Sequence, residues 1–364
     1  MYTVYVLSCE GKGAFDVSTL AHDMTYASSI TGQPGKLTMT LEKDPNNVLS
    51  MTVGDKVVFL DEKGSKVFNG KVFTLSTEHS GTYSVTAYDQ MRYLQNHDYL
   101  YLDGETNKNL QDIFTKICTQ GAFTYSIKSP AMTALDPHLF VDQSYFDMLS
   151  WCIDETMKKS GKMYFVRDRA GVLELNEIKA NYGISDSPVN IPEAGLTGPH
   201  DFAEVVSGGK LVIGDKSLLT DYRYEVDIDK QTCTEVILTE SVKNSSANSD
   251  KDKTDKRLVY AEVNPENGAK WGRLRKIVNV KEQATEDELK EYAKLVLDVY
   301  SRPFKTMRLE ALGYPLYAGD GFKLSIDRLG ISMDMYVTEV THTYGEIHTM
   351  SLSVAASDAL PDSL

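Results

Sequence analysis

The chain has 364 residues, of which 41% are hydrophobic, enough for two to three packed domains. Its net charge of −14 and its pI of about 5.0 argue against a groove that binds nucleic-acid phosphates, because such a groove needs clustered Lys and Arg. The first residues read as a β-strand rather than a signal peptide, and no apolar run approaches the roughly 18 residues of a membrane span.

Residues 1–89 alternate short strands with glycine-bearing turns, which predicts a β-barrel or sandwich. The hydrophobic pattern then changes from strand-like to partly helical, and residues 90–180 predict an α+β module. It combines a short amphipathic piece at 90–95, helices at about 107–120 and 144–160, and a hairpin over 162–177. The second helix has an apolar stripe that we expect to be buried, made of Phe146, Leu149, Ile153 and Met157. The predicted strands of the first domain are Tyr2–Leu7, Leu37–Leu41, Lys56–Leu60, Lys66–Leu75 and Tyr83–Tyr88.

Residues 181–364 return to strands and predict a second β domain. A polar stretch at 243–256 has no apolar residue larger than alanine, so we expect an exposed, mobile loop there. The basic cluster at 270–276 alternates with apolar residues and predicts a strand with a charged outer face. A helix at 286–301 begins with the spacing of a capping box at Thr285–Glu288. Its apolar stripe is Leu289, Ala293, Val296 and Tyr300. The helix packs either inside its own domain, which is the default for a lone helix on a β domain, or against a neighbouring subunit.

The four cysteines are scattered and form no Cys-x-x-Cys pair. Cys118 and Cys152 fall on the apolar faces of the two helices of the middle module, which predicts buried thiols. We therefore expect a protein that folds without disulfides in a reducing cytoplasm.

One pattern occurs twice. Gly54-Asp55 and Gly319-Asp320 each open an alternating strand, and a turn glycine follows each of them, Gly64 and Gly330. Aligned second-strand segments start at Val72 and Val337, at the same distance from each Gly-Asp, and a third strand closes each copy. The repeat predicts two related β-meanders, in which the glycines at 54 and 319 adopt φ values that a side chain would strain.

No catalytic motif stands out. The chain lacks Gly-x-Ser-x-Gly, a P-loop and a His-Glu-x-x-His helix. The acidic pairs Asp154-Glu155 and Asp287-Glu288 diverge by about 100° on their helices, so they do not converge on a substrate. His342 and His348 could approach each other across a hairpin, either as two metal ligands or as half-buried strand histidines. A zinc site would need three or four ligands with fixed geometry, and no nearby Cys or carboxylate pattern completes one. We predict no cofactor.

Seven segments carry a resemblance to a known family: 85–94, 151–175, 272–274, 286–300, 312–321, 335–342 and 347–352. The last ninety residues resemble the baseplate hub proteins of contractile phage tails and tail-like bacteriocins. They are similar to the hub of the PBSX-type defective prophages of Bacillus (the YqbQ and XkdQ type) and to the late-control gene D proteins. The end of the first domain and the helix-hairpin of the middle module are similar to the same family.

The resemblance implies a mainly β fold with two tail-tube-like β-barrels, 1–89 and 181–364, an inserted α+β domain at 90–180 and a packing helix. It implies a homotrimeric ring between a six-fold tail tube above and a three-fold spike below, with other baseplate and LysM-type tail proteins as neighbours. DNA could pass through an acidic lumen without binding. It also implies an intersubunit role for the helix at 286–301, with a candidate face of Leu289, Lys290, Tyr292 and Lys294.

Such a protein would be made in the bacterial cytoplasm, assembled into a virion tail or tail-like particle, and released on lysis. Some hubs carry fused hydrolase domains, and we expect none here because the chain ends shortly after the second barrel. Two alternatives stay open. One is a tail-associated peptidoglycan hydrolase with an unrecognised site in 90–180, and the other is a secreted β-rich binding module, which the missing signal peptide opposes.

Overall fold

A computed structural model describes residues 2–46, 49–103, 105–106, 108–160, 162–178, 206–207, 210–230, 232–243, 254–280 and 285–356. The chain packs as two units. The larger unit comprises Met1–Arg223 and Met307–Leu360, and the smaller unit comprises Tyr224–Thr306 and Pro361–Leu364. The domain boundaries predicted at 89/90 and 180/181 stay predictions.

The first copy of the repeat lies in a run of seven strands. Two of them, β5 (Lys56–Leu60) and β7 (Tyr83–Tyr88), have the predicted bounds. The sequence did not predict β2 and β3. In β3 the alternation is broken by a bulge between His22 and Thr25, where Asp23 has a φ of +50°. The strands are β1 (Thr3–Leu7), β2 (Ala14–Asp16), β3 (Ala21–Ser29), β4 (Lys36–Leu41), β5 (Lys56–Leu60), β6 (Lys66–Thr77) and β7 (Tyr83–Tyr88).

The middle module is α+β, as predicted, and begins with a 3-10 helix at Gln90–Gln95. Helices α1 and α2 pack on each other and enclose a separate apolar core. The stripe predicted for α2 is wrong in part, because Met157 is exposed. The buried face is Met148, Leu149, Cys152 and Thr156, which meets α1 and β11. The elements are β8 (His97–Leu102), α1 (Leu110–Gln120), β9 (Tyr125–Ile127), β10 (His138–Ser144), α2 (Tyr145–Ser160), β11 (Met163–Asp168) and β12 (Leu173–Ile178).

The second copy continues the sheet of the first, because β21 pairs with β3 in an antiparallel register that places His342 opposite Tyr26. Both copies therefore share one curled sheet of 14 strands within the described residues. This confirms the mainly β fold with an α+β middle module. The strands of this part are β13 (Val206–Ser207), β14 (Lys210–Gly214) and β15 (Leu219–Asp227), then, after the smaller unit, β19 (Phe304–Leu312), β20 (Gly321–Ile326), β21 (Ile331–Tyr344) and β22 (His348–Ala356).

The smaller unit is a three-stranded sheet of order β17-β16-β18, and α4 packs on β16 and β17. Two predictions fail in part here. Residues 254–256 belong to a strand rather than a loop, and 244–253 lie outside the described residues. Residues 265–271 form a helix started by the Asn264 side chain, so only the end of the basic cluster is strand. The elements are β16 (Glu235–Lys243), β17 (Thr254–Val263), α3 (Pro265–Trp271), β18 (Arg275–Val280) and α4 (Glu286–Tyr300).

Candidate functional site

The first Gly-Asp turn closes the start of β5 onto β6. Gly54 has a φ of +92°, and its N–H donates to the Val72 carbonyl at 2.8 Å, while the Val72 N–H donates to the Asp55 carbonyl at 2.8 Å. The Asp55 side chain is buried, and its two oxygens accept the N–H groups of Thr52 and Cys9, each at 2.9 Å. Asp55 therefore satisfies the backbone of two loops at once.

The second turn repeats these bonds. Gly319 has a φ of +87°, its N–H donates to the Val337 carbonyl at 2.7 Å, and the Val337 N–H donates to the Asp320 carbonyl at 2.9 Å. One oxygen of the buried Asp320 accepts the N–H of Tyr317, three residues earlier, at 3.0 Å. In the first copy Asp55 accepts the N–H of Thr52 in the same way. The other oxygen departs from the first copy, because it accepts from Arg167 of the middle module at 2.7 Å.

The repeat also includes a backbone irregularity. The pairing of β6 with β7 shifts register between Val72 and Thr74, and the pairing of β21 with β22 shifts between Val337 and Glu339. Both bulges follow the paired valine of their own Gly-Asp turn. A bulge is a specific local feature of a strand pair, so the two copies match in backbone geometry and not only in alternating hydrophobicity.

Arg167 is the centre of a buried ionic network that fastens the middle module to the second copy. Its Nη1 also donates to the Ala318 carbonyl at 2.8 Å, and its Nε donates to Glu174 at 3.0 Å. Arg167 is only 4% exposed. Burial alone would lower the pKa of Arg167, but the charges of Asp320 and Glu174 outweigh burial and raise it. No sequence pattern predicts this contact, which joins residues more than 150 positions apart.

A second polar contact lies beside Arg167, at the turn of the hairpin β11–β12. Asp168 accepts the Gly171 N–H at 2.7 Å and the Gln90 side-chain amide at 3.1 Å. Its neighbour Asp89 starts the 3-10 helix and accepts the N–H groups of Met91 and Gly35. Burial raises the pKa of Asp168 to about 6, and burial raises the pKa of Asp89 well above its usual value. Both carboxyl groups therefore have structural partners.

The candidate face on α4 is divided by the helix geometry. Leu289 is buried in the core of the smaller unit, so it is not part of an exposed face. Lys290 and Lys294 are exposed one turn apart on one flank. Tyr292 lies about 200° around the helix from Lys290, near the exposed Leu295. The helix thus offers a flank that carries both lysines and a separate apolar flank, and its intersubunit role stays a prediction.

His342 and His348 do meet across the β21–β22 hairpin, with 3.0 Å between Nδ1 of His342 and Nε2 of His348. Nε2 of His342 lies 2.8 Å from the Leu316 carbonyl and donates to it, so its Nδ1 accepts from His348. Both nitrogens of His342 are therefore in use. Among the described residues no group of three or more His, Cys, Asp or Glu side chains could hold a metal ion. Burial lowers the pKa of both histidines to about 4.

This histidine pair predicts a loss of stability in mild acid. The pKa of His342 is lower in the folded chain than its usual 6.5, so the unfolded chain binds the proton more readily between these values. The free energy of unfolding should therefore fall as the pH drops from 6.5 to 4, by about 1.4 kcal/mol per pH unit from His342. Urea unfolding at several pH values measures this. His342→Asn should flatten the dependence relative to His79→Asn on an exposed turn, and equal slopes would contradict it.

The histidine pair also forms part of the wall of an open cavity of about 810 Å³ in the larger unit. The sequence predicted the approach of the two histidines but not the cavity, because its lining comes from hairpin ends that are distant in the chain.

In the described residues no helix is both long enough and apolar enough to cross a bilayer. Cys118 and Cys152 are buried, as predicted.

The fold is that of phage tail proteins. The 43 kDa tail protein of prophage MuSo2 from Shewanella oneidensis matches with a TM-score of 0.62 at 13% identity, over 99% of each chain. A tail protein from Neisseria meningitidis matches with a TM-score of 0.60 at 13% identity, over 97% of this chain and 96% of that one. Prophage tail protein gp18 from Listeria monocytogenes matches at 0.50 and 13% identity, over 96% and 94%.

Sequence comparison assigns the family. The model of the YQBQ-like family matches residues 24–186 and 202–355, which is most of the chain, and the chain belongs to that family. A search of curated protein sequences finds no match. The family and the fold together confirm the resemblance to phage baseplate hub proteins.

Proposed function

We propose that the chain is a structural baseplate hub subunit of a contractile phage tail or a tail-like bacteriocin. The observation that carries this proposal is the repeated Gly-Asp turn, with the same hydrogen bonds and the same bulge, in one continuous sheet. Three such subunits present six related β elements. A homotrimeric ring can therefore face a six-fold tail tube on one side and a three-fold spike on the other.

The same proposal names its partners and its place. The ring contacts the tail tube protein, the spike protein, and other baseplate and LysM-type tail proteins. The subunit is made in the bacterial cytoplasm, assembles into the particle and leaves the cell on lysis. The net charge of −14 suits a lumen that lets DNA slide, because an acidic wall repels phosphate.

Exposed apolar surface supports a subunit that is built into a larger assembly. The β8–β10 ribbon buries one face on the core of the middle module and turns the other outward. The outward side chains Tyr99 and Leu139 are 66% and 58% exposed, and Tyr101 lies directly opposite Leu139. Contiguous exposed apolar patches mark interaction sites more often than they mark free surface.

The flank of α4 that carries Lys290 and Lys294 provides a test of assembly. Lys290→Glu with Lys294→Glu should weaken trimer formation, because it inverts two exposed charges without touching the buried stripe. Size-exclusion chromatography gives the oligomer, and circular dichroism confirms the fold. The matched control is Lys36→Glu with Lys108→Glu, two exposed lysines of the larger unit. Equal assembly of both variants would leave α4 as a packing element of its own unit.

The function itself is tested by co-expression with the tail tube and spike proteins of the same particle. A hub should co-purify with the spike in a complex that contains three copies of this chain. Failure to bind either protein would contradict the proposal.

No contact in the described middle module favours a peptidoglycan hydrolase, since Asp168 and Glu174 are engaged in structural bonds. Cleared zones in peptidoglycan zymography would revive that alternative.

A further inference from the structure

The open cavity is lined by five segments of the larger unit, near residues 2, 18–26, 61–67, 313–317 and 342–348. The β5–β6 turn contributes Asp61, Glu62 and Lys63, the β21–β22 turn contributes Glu346, and the loop before the second Gly-Asp turn contributes Tyr314. No single copy of the repeat builds the cavity. The volume of about 810 Å³ is in the range of pockets that take small ligands or single side chains of a partner.

The wall of the cavity is aromatic and neutral. Tyr344 stacks on His348 at 4.4 Å between ring centroids, and Tyr2 meets Tyr344 edge-on at 4.9 Å. Tyr314, from the loop before the second Gly-Asp turn, also lines the cavity and is half-buried. Burial raises the pKa of Tyr314 to about 12, so its ring carries no charge at neutral pH. Aromatic faces of this kind attract cations through their quadrupole.

The rim of the cavity is acidic. Among the described residues that line the cavity are four carboxylates, from Asp23, Asp61, Glu62 and Glu346, and one ammonium, that of Lys63. The imidazole of His22 also lies at the rim, where it bonds Asp23 and Glu42 at 2.9 Å, and these bonds raise its pKa. The summed charge at the mouth is negative, and carboxylates above aromatic rings complement a cationic guest.

Backbone geometry at the rim is also unusual. Asp23 has a φ of +50° and sits in the bulge that separates His22 from Thr25 in the pairing of β3 with β4. Non-glycine residues adopt this conformation at a cost, and such positions cluster at functional sites. The bulge places the Asp23 carboxylate at the cavity mouth instead of in the regular alternation of the strand.

We propose that this cavity binds a basic side chain, arginine or lysine, presented by a partner polypeptide. The cation lies against the aromatic wall, which includes Tyr2 and Tyr314, and the acidic rim neutralises it. The occupant is a polypeptide side chain because the mouth is open and the charge at the rim selects a cation that reaches in from outside. The proposal needs neither a trimer nor a tail particle.

The test uses the full chain and two matched peptides. The probe is a blocked Gly-Gly-Arg-Gly-Gly peptide, and the control peptide carries citrulline, which keeps the shape of arginine and removes its charge. Isothermal titration at low salt should show saturable binding of the arginine peptide, at least about tenfold tighter than that of the citrulline peptide. Binding should weaken as salt is raised, because the rim charges are exposed.

Variants connect binding to the cavity. Asp23→Asn, Glu62→Gln and Glu346→Gln together should weaken binding of the arginine peptide by at least about tenfold. The matched control neutralises three exposed acids outside the cavity, Glu78, Glu105 and Asp154, and should leave affinity unchanged. Tyr314→Leu tests the aromatic wall without changing charge, and it should also weaken binding. Thermal unfolding confirms that each variant is folded.

Four results would overturn the proposal. Three of them are no saturable binding of the arginine peptide, equal affinity for the citrulline peptide, and equal loss of affinity in the control variant. The fourth is binding of free argininamide as tight as that of the peptide, which would show a small-cation site rather than a docking site for a polypeptide. A failed trimer measurement with intact peptide binding would count against the hub assignment alone.

Discussion

Replacement of Arg167 by methionine should lower the free energy of unfolding of the larger unit by about 3–5 kcal/mol. The guanidinium bonds Asp320, Glu174 and the Ala318 carbonyl, and all three charged side chains are almost fully buried. Without Arg167, Asp320 loses its charged partner in a site that water does not reach. The middle module also loses its link to the second Gly-Asp turn.

Urea unfolding measures this loss, and the two tryptophans separate the units. Trp151 lies in the larger unit and Trp271 in the smaller one, so a Trp271→Phe background reports on the larger unit. Arg167→Met with Asp320→Asn should regain part of the stability, because the unpaired charge is removed. A cost of less than about 1 kcal/mol for Arg167→Met would contradict the assignment.

The matched control is Arg273→Met in the smaller unit. Arg273 also pairs with a buried carboxylate, that of Glu235, but its own side chain is 70% exposed. Arg275 bonds the same carboxylate at 2.9 Å, so Glu235 keeps a partner in the variant. We expect a much smaller cost than that of Arg167→Met, because an exposed cation gains little from pairing.

Gly319→Ala should destabilise the larger unit by about 2–4 kcal/mol, and Gly54→Ala should cost about 1–2 kcal/mol. Both glycines have a positive φ that strains any side chain. A Cβ at 319 would also lie 2.3 Å from the ring of Phe165, whereas a Cβ at 54 would meet only the Cys9 sulfur, at 3.5 Å. The two copies match in backbone but differ in what packs on them.

Thermal unfolding of both variants tests this asymmetry. Gly64→Ala and Gly330→Ala are the controls, because both glycines have positive φ and a Cβ at either position would have no neighbour within 4 Å. Those two should cost similar, smaller amounts. Gly319→Ala with Phe165→Leu should recover part of the loss. Equal costs at 54 and 319 would mean that the middle module does not press on the second turn.

The sequence predicted the elements whose signal is local. β5 and β7 have the predicted bounds, and the stripe Leu289, Ala293 and Val296 of α4 is buried as predicted. The paired turns were predictable because each is written in a few adjacent residues. The strand β3 was missed because its bulge at Asp23 breaks the period-two pattern on which strand prediction depends.

Long-range contacts left no such signal. Nothing in the spacing of Arg167 and Asp320 predicts that they meet, since the contact depends on how the middle module docks. The cavity at Tyr314 and Glu346 is likewise formed by turns far apart in sequence. On α4 the periodicity predicted the buried stripe correctly. The candidate intersubunit face was wrong to include Leu289, because that side chain belongs to the buried stripe and not to the exposed surface.

The most direct test of the hub proposal is the solution mass of the purified protein, by light scattering over a range of concentrations, alone and with its spike protein. The proposal predicts a particle of about three times 40.6 kDa for this chain, alone or once the spike is present. A mass of one chain at every concentration, both alone and with the spike, would contradict the trimeric ring.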